Sequence, residues 1–434
     1  MKSELDVFEL PPLQTNVTGV EQVVYNPSTS LNNSSSIEFV IPGSGDSYKN
    51  LSSIYLRLLV KINGKQPLIT EDGKEALQPE KIGVVNNLLH SLFRQCTVTL
   101  NNVQVSQDND YHYKSFFQTI LNYGNDATST HLATTGWSLD EQNLDSLLPS
   151  QNPQHGIRNS WFQTGKEFDK KVELYGKLHV DLFNQPKFLI NNVDLKITLN
   201  KEKGDFYMME SSTGSSDISI LEANLFVEHI HVNPAILLAH HQMLQKSTAK
   251  YPYKRMSVRQ YSINSGTSTL ALDNIILGQK PNILLFAMLC NSSYCGSRNK
   301  NPYFFKSFGL EQFVLYVDGK QIPSKPLVME HSAAKGKLTS RAYNTLFNAT
   351  GIKYFDKGHQ ITKQLFDSCY FMLAFDLTAD HSYSSVCINP PTQCCIRAEG
   401  SFNTNLSEAI TCLVVCEFDA MIEIDKNGTV AVTI

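Results

Sequence analysis

The chain has 434 residues, 41% of them hydrophobic and only 18% charged, a balance that excludes a disordered or strongly solvated chain and gives enough length for two sizeable cores. Its 37 Lys and Arg against 41 Asp and Glu leave a formal charge of −4, so no global basic field exists to hold nucleic acid and any DNA contact has to be local or indirect. No run of about 18 apolar residues occurs, and the opening Met-Lys-Ser-Glu-Leu-Asp-Val-Phe-Glu lacks a signal peptide's apolar core, so the expectation is a protein of a reducing compartment without a membrane-spanning segment.

Residues 1–19 carry Phe8, Pro11, Pro12 and Thr15 without periodicity and read as an extended arm. Short strands are expected at Gln22–Asn26 and Ser36–Ile41. Between Ile54 and Ile62 the apolar residues Ile54, Leu56, Leu58, Val60 and Ile62 alternate with Tyr55, Arg57 and Lys61, the pattern of a half-buried strand. Cys96–Val105 then reaches the polar pair Asn101-Asn102, which tolerates positive φ and closes a type I′ hairpin. Tyr113, Phe116, Phe117, Ile120 and Leu121 follow at the spacing of an apolar helix face, with Asp110 placed to cap the helix and Gly124 to end it.

Thr128–Lys166 is long, polar and holds both Trp137 and Trp161, so an elaborated surface loop or tower is expected there. Strands resume at Val172–Leu182, Val193–Leu199 and Leu225–Val232, with Ser211–Asp217 as a flexible tip. Asn233 and Pro234 open a helix with Ile236, Leu237, Met243 and Leu244 on it, which Pro252 forbids from continuing. A second strand series follows at Val258–Ile263, Ile275–Leu277, Ile283–Cys290, Phe371–Leu377, Cys394–Arg397 and Ile410–Ile424. Ile283–Cys290 is apolar on both faces and is expected to be central.

Within this second series, Leu310–Pro323 repeats the earlier hairpin, now turning at Asp318-Gly319. Downstream, Tyr343, Leu346 and Phe347 repeat the helical spacing, with Ser340 as cap and Gly351 as stop. The two turns lie half a chain length apart. The chain therefore reads as all-β, a double jelly roll of two tandem eight-stranded sandwiches with three short helical pieces. Its expected divisions are an arm at 1–19, a first roll at 20–233, a connecting helix at 234–251 and a second roll at 252–434.

The chemistry-bearing residues form no catalytic constellation. The nine Cys lack paired Cys-x-x-Cys spacing, and Cys412 and Cys416 share a strand face, so buried free thiols are expected. His229 and His231 share a face without a third ligand; His240 and His241 point apart on a helix. Glu417 and Asp419 alternate on a strand and are expected to flank solvent. Neither a nucleophile elbow nor a phosphate loop is present, so no catalytic, cofactor-binding or metal-ligating residue is assigned and the protein is not expected to be an enzyme.

Several long strings resemble one family. Ser3–Thr15, Asn87–Phe93, Thr248–Arg255, Tyr316–Leu327 and Glu417–Asp425 are similar to signatures of the major capsid proteins of Polinton (Maverick) elements and adintovirus-like viruses. The Cys- and Pro-rich Ser382–Ser401 departs from that pattern. The resemblance implies a double jelly roll that forms a homotrimer, a pseudo-hexagonal capsomer that tiles an icosahedral shell. Its implied partners are neighbouring capsomers, a single jelly-roll penton protein and, indirectly, packaged double-stranded DNA. The implied location is the virion capsid, assembled in the host nucleus or cytoplasm. On this reading Thr128–Lys166, Asn291–Lys306 and Ser324–Thr339 are towers or subunit clasps, and Met1–Thr15 is an inward tether to neighbouring capsomers or a cement protein. Ile41–Gly45 resembles the cleavage consensus of the adenovirus-type protease of those genomes, although Gly and Ser mark turns on their own account. The reading from another class is a carbohydrate-binding β-sandwich module, which needs exposed aromatic platforms.

Overall fold

The computed structural model describes residues 14–31, 34–63, 82–163, 170–210, 215–331, 336, 338–352, 358–381, 383 and 388–433. Among them, the first half supplies β1 (Val17–Tyr25), β2 (Ser36–Ile41), β3 (Ser47–Asn63), β4 (Phe93–Leu100), β5 (Val103–Asp108), β6 (Lys171–Lys177), β7 (Leu195–Lys201) and β8 (Asp217–Val232). These pair antiparallel in two four-stranded sheets, ordered β1-β8-β3-β6 and β2-β7-β4-β5.

The second half supplies β9 (Ala249–Ile263), β10 (Thr269–Gln279), β11 (Ile283–Cys290), β12 (Leu310–Val317), β13 (Lys320–Val328), β14 (Met372–Asp376), β15 (Gln393–Phe402) and β16 (Ile410–Ile424). Its sheets run β9-β16-β11-β14 and β10-β15-β12-β13, with β17 (Val430–Thr433) added to the far end of β16. Adding eight to each label of the first half reproduces the order of the second. The fold is a double jelly roll.

The residue pattern explains the sheets. On β3, Ile54, Leu56, Leu58, Val60 and Ile62 are all buried, as their alternation requires. Every residue of β11 is buried, because its sheet is covered on both faces. The hairpin turns match as well: φ is positive at Asn101 (44°) and Asn102 (66°), and at Asp318 (50°) and Gly319 (78°), the backbone twist a type I′ turn needs. Each turn also clasps a neighbouring chain in the same way. The Asn101 N–H donates to the Asp194 carbonyl at 3.0 Å while its Oδ1 accepts from the Asp194 N–H at 2.8 Å. Asp318 does the same with Cys395, at 3.0 and 2.9 Å.

Several element limits differ from the sequence expectations. β1 begins at Val17, inside the span read as an arm, because Val17 to Tyr25 pair with the end of β8. The connecting helix, Pro234–Leu244, is capped as expected by Asn233, whose side chain accepts from the Ala235 N–H. It stops well before Pro252, which sits inside β9. That strand lies at a sheet edge, where a residue without an N–H costs no ladder bond.

Helix is also more plentiful than three pieces. Besides α1 (Tyr111–Asn122), the described residues hold α2 (Pro153–Ser160), α3 (Pro234–Leu244), α4 (Ser340–Thr350) and α5 (Lys363–Ser368), with several shorter turns. Asp110 precedes α1 but makes no side-chain cap there; its Oδ1 accepts from the Tyr294 hydroxyl at 3.1 Å. Tyr123, already extended, ends α1 ahead of Gly124. Ser340 lies within α4 behind Thr339, whereas Gly351 does terminate it at φ 71°.

Candidate functional site: the seam between the rolls

α1 was expected to be amphipathic, yet every residue from Tyr111 to Leu121 is buried, polar ones included. Such a helix must be covered all round, and here residues of both halves do it. Phe116 stacks on Tyr303 at 4.2 Å between ring centroids and tilts against Trp137 at 5.2 Å; Phe117 meets Phe305 at 5.2 Å. Tyr303 returns a hydrogen bond to Ser91 at 2.6 Å, and Trp137 Nε1 donates to Gln360 Oε1 at 2.7 Å. An aromatic wall shared between two rolls, with its polar edges paired, makes a rigid joint.

A charge cluster sits in the same joint. Lys114 Nζ lies 2.8 Å from Asp108 Oδ1 and 2.7 Å from Asp181 Oδ2, and all three side chains are nearly inaccessible. Burial works against the Lys114 charge, but the two carboxylates overcome it and hold its pKa above the usual lysine range. Asp181 is pushed up to about 7 by its burial, with Lys114 opposing. Its Oδ2 also accepts the Met256 N–H of β9 at 2.8 Å, so one carboxylate ties the first roll's charge to the second roll's backbone. Alongside, His90 and His179 meet edge to face at 4.6 Å, and both are held neutral by burial, His179 down to about 3.

Thr128–Lys166, expected as an elaborated surface loop or tower, sends its buried residues into this seam while much of the rest stays exposed; its last three residues lie outside those described. Trp137 and Arg158 are almost wholly buried. Arg158 donates to the Val84 carbonyl at 3.0 Å, the Ser138 carbonyl at 2.8 Å and Asp140 Oδ1 at 2.7 Å. Asp140 Oδ2 accepts from Asn301 at 3.3 Å. Asn291–Lys306, the second expected tower, is therefore also a seam element, with Asn301, Tyr303 and Phe305 buried. The polar groups that these segments bury at the seam bond one another, while their outer residues face water. In Ser324–Thr339, residues through Val328 are strand; 332–335 and 337 lie outside the described residues, as do Met1–Leu13, most of the Ser211–Asp217 tip and several residues of Ser382–Ser401.

Two cavities flank the cluster. One of about 780 Å³ is lined by Gln118, His179 and Asp181 from the first half and by Lys254, Tyr383 and Glu417 from the second. The other, about 520 Å³, runs past Asp108, Lys114, Arg255 and Arg259. Glu417 thus corrects the expectation of a solvent-flanking residue: β9 and Tyr383 cover it, Tyr383 donates to its Oε2 at 2.8 Å, and burial raises its pKa.

The remaining sequence candidates stay dispersed. His229 bonds Tyr25 at 2.9 Å and Ser47 at 3.1 Å, while His231 faces Glu21 at 3.6 Å. His240 bonds Tyr48 at 2.7 Å, and His241 points elsewhere, toward Gln245. No group of three metal-ligating side chains occurs among the described residues. Cys412 and Cys416 are buried with thiol pKa values raised by that burial, but Cys295 is exposed and so departs from the buried-thiol expectation; Cys387 lies outside the described residues. Ile41–Gly45 is a packed turn in which the Gly43 N–H donates to Asp194 Oδ1 at 2.7 Å and a Cβ on Gly43 would strike the Asn192 backbone.

Sequence reasoning missed Lys114, Asp108, Asp181, Arg158 and Asp140. The available signal was Lys114 itself, a charge between aromatic residues in Tyr-His-Tyr-Lys-Ser-Phe-Phe. Among the described residues no helix is long and apolar enough to cross a membrane.

No family model matches the chain. An uncharacterized protein of Caenorhabditis elegans is 21% identical over 331 residues, spanning 74% of this chain and 75% of its own length. Among solved structures, a chain of the Sputnik virophage superposes with a TM-score of 0.67 at 13% identity, covering 100% of this chain and 91% of that one. The mavirus major capsid protein gives 0.56 at 10% identity over 100% and 93%, and the faustovirus major capsid protein 0.57 at 9% over 96% and 92%. At such identities the likeness bears on the fold, and it extends along both rolls.

Proposed function

We propose that this chain is the structural subunit of a viral shell, a major capsid protein that associates in threes. The observation that carries the reading is the doubling: two rolls of one strand order, each with the same positive-φ turn and the same reciprocal clasp. Three chains then present six similar sides, so a closed threefold object meets its neighbours in near-hexagonal contacts that tile an icosahedral surface around double-stranded DNA. The whole-length likeness to the mavirus and faustovirus major capsid proteins supports this role over a binding module.

Imitating a sixfold requires that the two rolls of one chain hold a fixed angle. The buried α1, with Lys114 linked through Asp181 to Met256 and Arg158 linked through Asp140 to Asn301, supplies that stiffness. We assign the first roll to about 17–233 and the second to about 249–433, with the connecting segment between, since β1 begins at Val17 and β9 at Ala249. Capsomer neighbours and a penton protein are the partners, the virion is the location, and the role needs no turnover.

Mass photometry of the purified protein tests this. The expected species is three times the 48.7 kDa chain, about 146 kDa, held by obligate contacts of above about 2,000 Å². A stable monomer at micromolar concentration overturns the proposal.

A further inference from the structure

The connecting helix α3 is apolar in sequence, Pro-Ala-Ile-Leu-Leu-Ala-His-His-Gln-Met-Leu, yet none of its residues is buried. It is held to the first roll by Leu237 against Tyr48, Ile230 and Val232, and by the Tyr48–His240 hydrogen bond. Beside its C-terminal half runs a groove of about 360 Å³, lined by Tyr48, Phe188, Ile190, Met243, Leu244 and Tyr251. Met243 is 57% and Phe188 37% exposed. The groove has room for about two groups of benzene size, which fill cavities of roughly 150 Å³ each.

We propose that the groove is the docking site of the segment Met1–Leu13 of the same chain. Three observations select that occupant. The first is where the described chain begins: the Asn16 carbonyl accepts the Asn233 N–H at 2.9 Å and the Thr15 carbonyl accepts from Asn233 Nδ2 at 3.4 Å, so the segment departs from the first turn of α3.

The second is reach. The groove lies near Met243, some ten residues along the helix, or about 15 Å at 1.5 Å per residue. Pro11-Pro12 favour an extended course of about 3.1 Å per residue, which carries Leu10 about 12 Å and Phe8 about 19 Å from Gln14. Laid along α3, such a segment would bring those two apolar side chains to either side of the groove.

The third is charge. The segment carries Glu4, Asp6 and Glu9 against the single Lys2, and the exposed Lys187, Lys246 and Lys250 stand in or beside the groove. Its opposite sign favours docking and sets direction along the helix. Tethering at Asn233 makes the encounter intramolecular, so modest contacts suffice.

The test places a photo-crosslinking benzoylphenylalanine at position 8 of the full chain. On irradiation the expected adduct joins position 8 to the peptides carrying Phe188–Ile190 or Met243–Tyr251, and it migrates at the mass of one chain. An adduct at double mass assigns the groove to a second copy and overturns the proposal, as does an adduct elsewhere or none. Met243→Glu in the same background is expected to lower the adduct yield by an order of magnitude while leaving the thermal transition unchanged; an undiminished yield also overturns it. Because this readout does not depend on trimer formation, a monomer in mass photometry would sink the capsid reading and leave the docking result standing.

Discussion

The two post-hairpin helices occupy corresponding places in the two rolls and have acquired different work. α1 is buried along its whole inward and outward surface, and its Lys114 holds two carboxylates. α4 keeps the ordinary arrangement, with only Ala342, Leu346 and Ala349 buried and Asn344, at the position matching Lys114, exposed. A common scaffold therefore fixes where a helix goes, and the residues on its second face decide whether it joins the rolls or merely covers one of them.

Acid is expected to divide the rolls most strongly. His112, His155 and His179 are each depressed to about 3 by burial, against His359 alone, to about 4, in the second roll. A histidine depressed on folding lends stability above its unfolded pKa of about 6.5 and loses it as pH falls toward the folded value, by up to about 2 kcal/mol each at pH 5. Asp181 runs the other way: its pKa is raised, so its ionisation costs stability as pH rises from about 4 to about 7, and Asp181→Asn should steepen the acid loss. Hydrogen exchange at pH 7 and pH 5 should show residues 88–122 and 153–160 opening before 340–352 and 358–376. Simultaneous opening would break the distinction.

Substitutions probe the helices directly. Phe117→Ala should cost about 3–5 kcal/mol, read as a lowered thermal transition, and Phe347→Ala less than half of that because its ring already meets water. Lys114→Met leaves two buried carboxylates without their cation and should cost about 3–5 kcal/mol, whereas Asn344→Met should stay within about 0.5 kcal/mol. Equal losses in either pair would mean the two helices are used alike.

The smallest effects sharpen the likeness instead. Asn101→Ala and Asp318→Ala each remove one acceptor of the reciprocal clasp, and urea titration should register about 1 kcal/mol for Asp318→Ala and about twice that for Asn101→Ala, whose Nδ2 also donates to the Gly428 carbonyl at 2.7 Å. Gly319→Ala meets open space yet forces an L side chain to φ 78°, a cost of about 1 kcal/mol, while Asn102→Gly at φ 66° should be neutral or stabilising.

The scaffold was legible where one physical signal dominates. Asn101-Asn102 and Asp318-Gly319 announce their turns through tolerance of positive φ, and Ser36–Ile41, Ile283–Cys290 and Ile410–Ile424 match their strands end to end. Limits slipped where pairing overrode local pattern, as when Pro252 was carried into β9 by its partner Met421. The seam stayed hidden for a different reason. Periodicity tells which face of α1 is apolar but not that a second roll covers the other face, and hydrophilicity in Thr128–Ser160 cannot distinguish water from Arg158, Asp140 and Asn301 as the partner.

Two like rolls in tandem suggest a chain that could be cut in half, and Arg158 indicates otherwise. Its guanidinium gathers Val84, Ser138 and Asp140, and Asp140 in turn takes hold of Asn301 across the join. Severed between Leu244 and Ala249, the leading fragment would keep Arg158 on that carboxylate but lose Asn301 from it and bare Phe116 and Phe117, while its fellow would expose Tyr303 and Phe305. The two repeats have become mutually dependent, so neither can be recovered as a free-standing small protein by truncation alone.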